Sequence, residues 1–277
     1  MIIIRFQGGL GNQMFQYALY LELKYIGKSV KADITTYMTD KDLRKFKLRD
    51  VFNVDVDIAD KKEIYELAGG EKNYIGGFIR KYLRRKTYFK EEQLNDYQVI
   101  ASLEDAYLDG YWQNEKFFPH VKKILKEKYI FMQQSIKTNN LYAMIQKEQS
   151  VSIHIRMGDY LVYNDVYGEI CTKEYYQNAI EYIMEKIDSP IFFVFSDEPE
   201  KAKDFLGNRK AIYVEKQEDD WCDMYLMSKC KHNIIANSTF SWWAAWLNKN
   251  YNKQIISPKK WTNNSSDSPA CKGWIIL

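Results

Sequence analysis

Ile191-Phe192-Phe193-Val194-Phe195 constrains this chain more than any other stretch. Five consecutive large apolar residues, stopped at once by Ser196-Asp197, show no alternation, so both faces of the strand must be buried. That is the pattern of an interior strand in a parallel sheet. Parallel strands need helical crossovers, and the neighbouring sequence supplies them. Tyr176, Ala179, Ile180, Ile183, Met184 and Ile187 recur at three- and four-residue steps behind Thr172, a hydroxyl placed to cap a helix. Further strands are expected at 151–156, 211–214, 233–236 and 254–256, with helices at 223–230 and 242–247. This alternation predicts a doubly wound α/β sheet with right-handed crossovers.

The N-terminus repeats the theme. Ile2-Ile3-Ile4-Arg5-Phe6 reads as a buried strand, Gln7-Gly8-Gly9-Leu10-Gly11-Asn12-Gln13 as a turn, and Met14, Tyr17, Ala18, Leu21 and Tyr25 as one face of a helix starting near Gln13. The glycines follow neither the dinucleotide-binding GxGxxG spacing nor the P-loop pattern. They serve a turn at positive φ or the close approach of a sugar or phosphate, with the Asn12 and Gln13 amides as hydrogen-bonding groups. A second short strand is expected at 30–33, an irregular region at 35–60, a strand running into a loop over 108–113, and a helix that starts at Glu115. At 277 residues the chain accommodates two domains of about 100–200 residues each. The polar, lysine-rich stretch 125–149, read as helical, separates an N-terminal domain at 1–140 from a C-terminal domain at 141–277.

Composition excludes several classes. An apolar fraction of 46% with 16% aromatic rules out disorder, and a net charge of +3 is too mild for a nucleic-acid binder but suits a small anionic ligand. The four cysteines form no CxxC pair and the three histidines no ligand spacing, so a structural zinc site is not expected. The N-terminal apolar run is too short for a signal peptide or membrane span. Arg80, Lys81, Arg84, Arg85 and Lys86, interleaved with aromatics over 72–90, read as an amphipathic helix with a solvated basic face or as a contact with an anionic membrane surface.

The chemistry concentrates at strand ends. In Val151-Ser152-Ile153-His154-Ile155-Arg156-Met157-Gly158-Asp159-Tyr160 the two-residue period puts His154 and Arg156 on one face, Gly158 breaks the strand and Asp159 follows. Asp197 ends the apolar strand, and Asn237-Ser238-Thr239-Phe240-Ser241 leads into a helix whose free N–H groups form an anion site. All lie where an open α/β sheet binds ligands. A guanidinium and a helix N-terminus on one edge would hold a diphosphate. The competing readings are an ion pair of Arg156 with Asp159 or Asp197, and a loop-orienting role for His154. Glu218-Asp219-Asp220 with Asp223 reads as an acidic helix start, and Trp242, Trp243 and Trp246 as core.

Five segments together resemble a known family: GGLGNQMFQYA at 8–18, GYWQNEKFF at 110–118, HIRMGDY at 154–160, FFVFSDEPE at 192–200 and HNIIANSTFSWWAAWL at 232–247. They are similar to the inverting, GDP-fucose-dependent α-1,2-fucosyltransferases of glycosyltransferase family 11, and more distantly to α-1,6- and protein O-fucosyltransferases. Where the family has HxRRGDY, this chain has Met157 in place of the second arginine. The resemblance implies a GT-B fold of two Rossmann-like domains facing across a cleft, GDP-β-L-fucose as donor, a terminal β-galactoside as acceptor, an α-1,2 product and no metal or other cofactor. Carried over by position, Arg156 neutralises the β-phosphate, Asn237, Ser238, Thr239 and Phe240 lie at the diphosphate, Asp197 meets the guanosine, and the loop with Gly9, Gly11, Asn12 and Gln13 faces the acceptor and sugar. Asp159, His154 and Glu115 remain open as the base. The lack of an anchor suggests a bacterial, cytoplasmic enzyme of cell-surface glycans such as O-antigen, with the basic segment as its membrane contact. A dehydrogenase, a glycan-binding module and a transferase of another guanosine-linked sugar are the alternatives.

Overall fold

The computed structural model describes the chain except for residues 39–43, 70–85, 133–139, 159–163, 208, 216, 218 and 265–267. Two compact units emerge, Met1–Met132 and Gln133–Leu277, dividing shortly before the expected boundary at 140.

In the first unit β1 (Ile2–Arg5), β2 (Val30–Asp33), β3 (Tyr88–Lys90) and β4 (Ala106–Asp109) form a parallel sheet in the order β2-β1-β4-β3. Ile2, Ile3 and Ile4 are wholly buried, as a central strand covered on both faces requires. The helix Leu10–Tyr25 carries the chain from β1 to β2 and starts three residues before Gln13, behind Gly9. It starts early because Gly9 has an extended backbone and its carbonyl already accepts the Asn12 and Gln13 N–H groups. The region 35–60 contains the 3-10 turn Thr35–Met38 and the short helix Leu48–Phe52. β3 was hidden inside the basic, aromatic stretch; most of that stretch, including Arg80 to Arg85, lies outside the described residues. The strand that runs into a loop over 108–113 is found as Ala106–Asp109, starting two residues earlier than expected, with the loop from Gly110, and the expected helix at Glu115 is one 3-10 turn, Glu115–Phe117.

The second unit is a six-stranded parallel sheet in the order β10-β9-β8-β5-β6-β7, built from β5 (Gln149–Ile155), β6 (Pro190–Ser196), β7 (Ala211–Tyr213), β8 (His232–Ile234), β9 (Ile255–Ser257) and β10 (Ile275–Ile276). Burial of Phe192 to Phe195 confirms an interior strand. Thr172 caps the helix Lys173–Lys186 by accepting the Tyr175 N–H at 3.2 Å, and Tyr176, Ala179, Ile180 and Ile183 pack with Val151, Ile153 and Val194. The lysine-rich region is not one helix: Lys122–Lys128 and Asn140–Lys147 are separate, and β5 starts at Gln149. β10, two residues at the sheet edge, has no sequence signal because it is too short to show a period. Among the described residues no helix is long and apolar enough to cross a membrane.

Both sheets reverse direction. β5, β6 and β7 step outward one way and β8, β9 and β10 the other; in the first unit β1 and β2 step one way, β4 and β3 the other. Each unit therefore has a topological switch point, between β5 and β8 and between β1 and β4, which is where open α/β sheets accept ligands.

Candidate active site

At the carboxyl end of β5, Arg156 and its loop are held by Asp197, just beyond the paired end of β6. Arg156 Nη1 lies 3.3 Å from Asp197 Oδ2, and the Met157 and Gly158 N–H groups donate to the two Asp197 oxygens at 2.9 Å each. A Cβ on Gly158 would sit 2.8 Å from Asp197 Oδ2, so a glycine after Met157 is what lets the carboxylate close onto the loop. The Arg156–Asp197 ion pair was one of the competing readings, and it is present. Asp197 thereby spends both oxygens on the chain itself; for a guanosine contact it would have to share them. Met157 is buried in the cluster with Ile155, Tyr175 and Tyr176, so the side chain that departs from the family pattern belongs to the core beneath the sheet.

His154 is buried beside this pair, with its ring centroid 5.9 Å from that of Phe240. Burial, reinforced by the Arg156 charge and opposed by Asp197, lowers its pKa to about 3. The imidazole is therefore neutral at ordinary pH and far too weak a base to be matched to proton abstraction near neutrality. Its Nδ1 is buried with no hydrogen-bond partner among the described residues.

On the other side of the switch point β8 empties into the helix Thr239–Leu247. The expected start at 242 is three residues late, because Trp242 N–H already donates to the Ser238 carbonyl at 2.9 Å. Ser238 precedes the helix without using its hydroxyl as a cap, and Ser238, Thr239 and Phe240 are all partly exposed. The N–H groups of a first turn have no partner within their helix, and the dipole favours an anion there. Asn237 is different. It is buried, donating to the Trp261 carbonyl at 3.1 Å and accepting from the Cys171 thiol at 3.5 Å, so its amide joins loops together and is not presented to a diphosphate.

The first unit presents a second cluster at its own switch point. Gly8 has φ +81, and a Cβ there would meet Asn12 Nδ2 at 2.4 Å; Gly9 has an ordinary backbone and open space where its side chain would be. Turn geometry explains Gly8; neither backbone nor packing within the chain demands a glycine at Gly9. Gly11 is buried in the first helical turn. Gln13 is wholly buried: its Nε2 donates to the carbonyls of Gly8 and Lys45, and its Oε1 accepts the Lys47 N–H. Both donors of that amide are used, so Gln13 shapes the loop and has none left for a sugar. Asn12 is only half buried; its Oδ1 accepts from Gln113 Nε2 at 2.9 Å, which turns Nδ2 toward Gly8. Among the base candidates, Glu115 pairs with Lys122 at 2.8 Å, and Asp159 lies outside the described residues.

Glu91, which nothing in its local sequence singles out, supports the loop after β4. Its carboxylate accepts the Tyr111 and Trp112 N–H groups at 2.7 and 3.0 Å. Asp219, Asp220 and Asp223 stand at the start of the helix Asp220–Lys229, as expected; Glu218 lies outside the described residues.

The two α/β units have the GT-B fold, with Arg156 and a helix N-terminus at the switch point of the second sheet. The family model of glycosyl transferase family 11 matches residues 1–277, and the chain belongs to that family. It is 34% identical over 293 residues to an alpha-1,2-colitosyltransferase of Escherichia coli, spanning 100% of this chain and 98% of that one. It is 31% identical over 300 residues to the O-antigen biosynthesis glycosyltransferase WbnK of Escherichia coli, spanning 98% of both. The fold matches that of the fucosyltransferase NodZ from Bradyrhizobium with a TM-score of 0.51 at 15% identity, covering 88% of this chain and 90% of the other.

Proposed function

We propose that this family 11 glycosyltransferase moves L-fucose from GDP-β-L-fucose to the 2-hydroxyl of a terminal β-galactoside, with inversion, giving an α-1,2 linkage. The observation that carries the reading is the convergence of Arg156 and the first turn of the helix Thr239–Leu247 on the β5/β8 switch point. When the sugar–phosphate bond breaks, negative charge develops on the departing β-phosphate while the fucosyl centre becomes oxocarbenium-like. A fixed guanidinium and a fixed set of N–H donors stabilise that charge without reorganising. The Asp197 contact aims the Arg156 guanidinium. These groups supply the leaving-group stabilisation, and we take the reaction to need no metal. The loop around Gly9 and Asn12 meets the acceptor and sugar. The enzyme works in the cytoplasm on a cell-surface glycan such as an O-antigen repeat.

A second donor is favoured by one observation: the 34% identical relative is named a colitosyltransferase. The test is release of GDP from GDP-fucose and from GDP-colitose, each with and without lactose or N-acetyllactosamine, in EDTA. Acceptor-dependent release from GDP-fucose supports the first reading. Release from GDP-colitose alone replaces the donor, and release that stops in EDTA removes the metal-free mechanism.

A further inference from the structure

The loop that follows β4 carries two energetic costs in one residue. Trp112 has φ +57, a left-handed backbone that is strained for a bulky residue. Its side chain is fully buried with Nε1 unpartnered among the described residues, a desolvation cost added to the strain. Strain of this kind persists only where the surroundings impose it, and it gathers at functional sites.

Glu91 imposes it. It directly follows β3, and its two oxygens accept the consecutive Tyr111 and Trp112 N–H groups, which fixes the peptide plane between them. Gly110 leaves the room: a Cβ there would meet Glu91 Cβ at 2.6 Å and Oε2 at 2.9 Å. Gln16 Nε2 holds the Gly110 carbonyl from the other side at 3.1 Å, and Trp112 packs edge-on against Phe117. Burial raises the Glu91 pKa, against the pull of the N–H donors. The next residue, Gln113, reaches Asn12. A carboxylate thus bends a backbone, the backbone aims an amide, and that amide turns Asn12 Nδ2 over Gly8.

We propose that Glu91 is a positioning residue for the acceptor, acting through the Trp112 bend and Gln113 to fix the orientation of Asn12. This rests on the reading above that the loop with Asn12 meets the acceptor. Without the bend, Gln113 withdraws and Asn12 turns freely, so acceptor binding and turnover suffer while the nucleotide site, built by the second unit, is untouched.

The experiment compares Glu91→Gln, Gln113→Ala and the double variant. An amide at position 91 sets a donor against one of the two N–H groups; Gln113→Ala cuts the link further along and leaves the bend in place. Each single variant is expected to lower kcat/KM for the acceptor about tenfold or more, with the Kd for GDP changed less than twofold. The double variant is expected to be no worse than Glu91→Gln alone, since both changes break one link. Hydrogen exchange should quicken over residues 8–13 in both single variants and stay unchanged over 149–156. Multiplicative effects, a parallel loss of GDP affinity, or exchange at 8–13 that ignores Glu91→Gln would each overturn the proposal. A wild-type enzyme that binds GDP yet transfers nothing to galactosides would instead defeat the acceptor assignment, and the exchange result would still decide the link from Glu91 to Asn12.

Discussion

Asp197 aims Arg156: its Oδ2 lies 3.3 Å from Arg156 Nη1 while the same carboxylate receives the Met157 and Gly158 N–H groups at 2.9 Å. One side chain therefore fixes both the cation and the backbone that presents it. Replacing Asp197 by Asn keeps the shape but sets an amide donor against one of these N–H groups. Leaving such a group unsatisfied costs about 1–3 kcal/mol, or roughly tenfold to hundredfold in rate where the geometry serves the transition state. Steady-state kinetics of Asp197→Asn should show kcat lowered by that range, with little change in the KM for the acceptor.

Acid should destabilise the second unit through His154. Its pKa in the folded protein is lowered to about 3 by burial, against about 6.5 in the unfolded chain. Between these values the unfolded state binds a proton that the folded state refuses, so stability is fully present above about pH 6.5 and is lost as pH falls toward 3. The slope attributable to this one residue approaches 1.4 kcal/mol per pH unit. Denaturant unfolding at pH 7, 6, 5 and 4 should show it, and His154→Gln should flatten the curve in that window.

Gly8 and Gly9 should respond differently to the same substitution. Gly8→Ala demands φ +81 from an alanine and drives its Cβ to 2.4 Å from Asn12 Nδ2; the backbone part alone costs about 1–2 kcal/mol, and a lowered Tm with reduced activity is expected. Gly9→Ala meets no atom of the chain within 4 Å. Its Tm should hold nearly constant while acceptor-dependent turnover falls. Equal activity of wild type and Gly9→Ala would show that no ligand comes close to that position.

Strand ends were legible in the sequence because periodicity and glycine breaks announce them: Arg156, Asp197 and Ser238 are all found at the edge where the pattern puts them. Partners distant in sequence were not legible. Gln13 and Asn237 have the right chemistry for ligand amides, yet Gln13 is consumed by Gly8, Lys45 and Lys47 and Asn237 by Trp261 and Cys171. Residue type reveals what an amide can bond, not which loop the fold brings to it. Met157, which replaces the family's second arginine, is a core residue in phase with Val151, Ile153 and Ile155 and buried in the same cluster, as the two-residue strand period continued past β5 would place it. Glu91 acts on residues 20 and 21 positions away, which no local pattern encodes.

The most direct test of a diphosphate-stabilising cation at the β5/β8 switch point is the transfer rate of Arg156→Ala, measured as acceptor-dependent GDP release at saturating donor, beside its thermal unfolding curve. Loss of a preorganised group at the developing charge costs on the order of 10²–10³ in kcat, so turnover should drop by that factor while the protein still unfolds cooperatively near the wild-type temperature. Near-normal turnover in a well-folded Arg156→Ala would contradict the account.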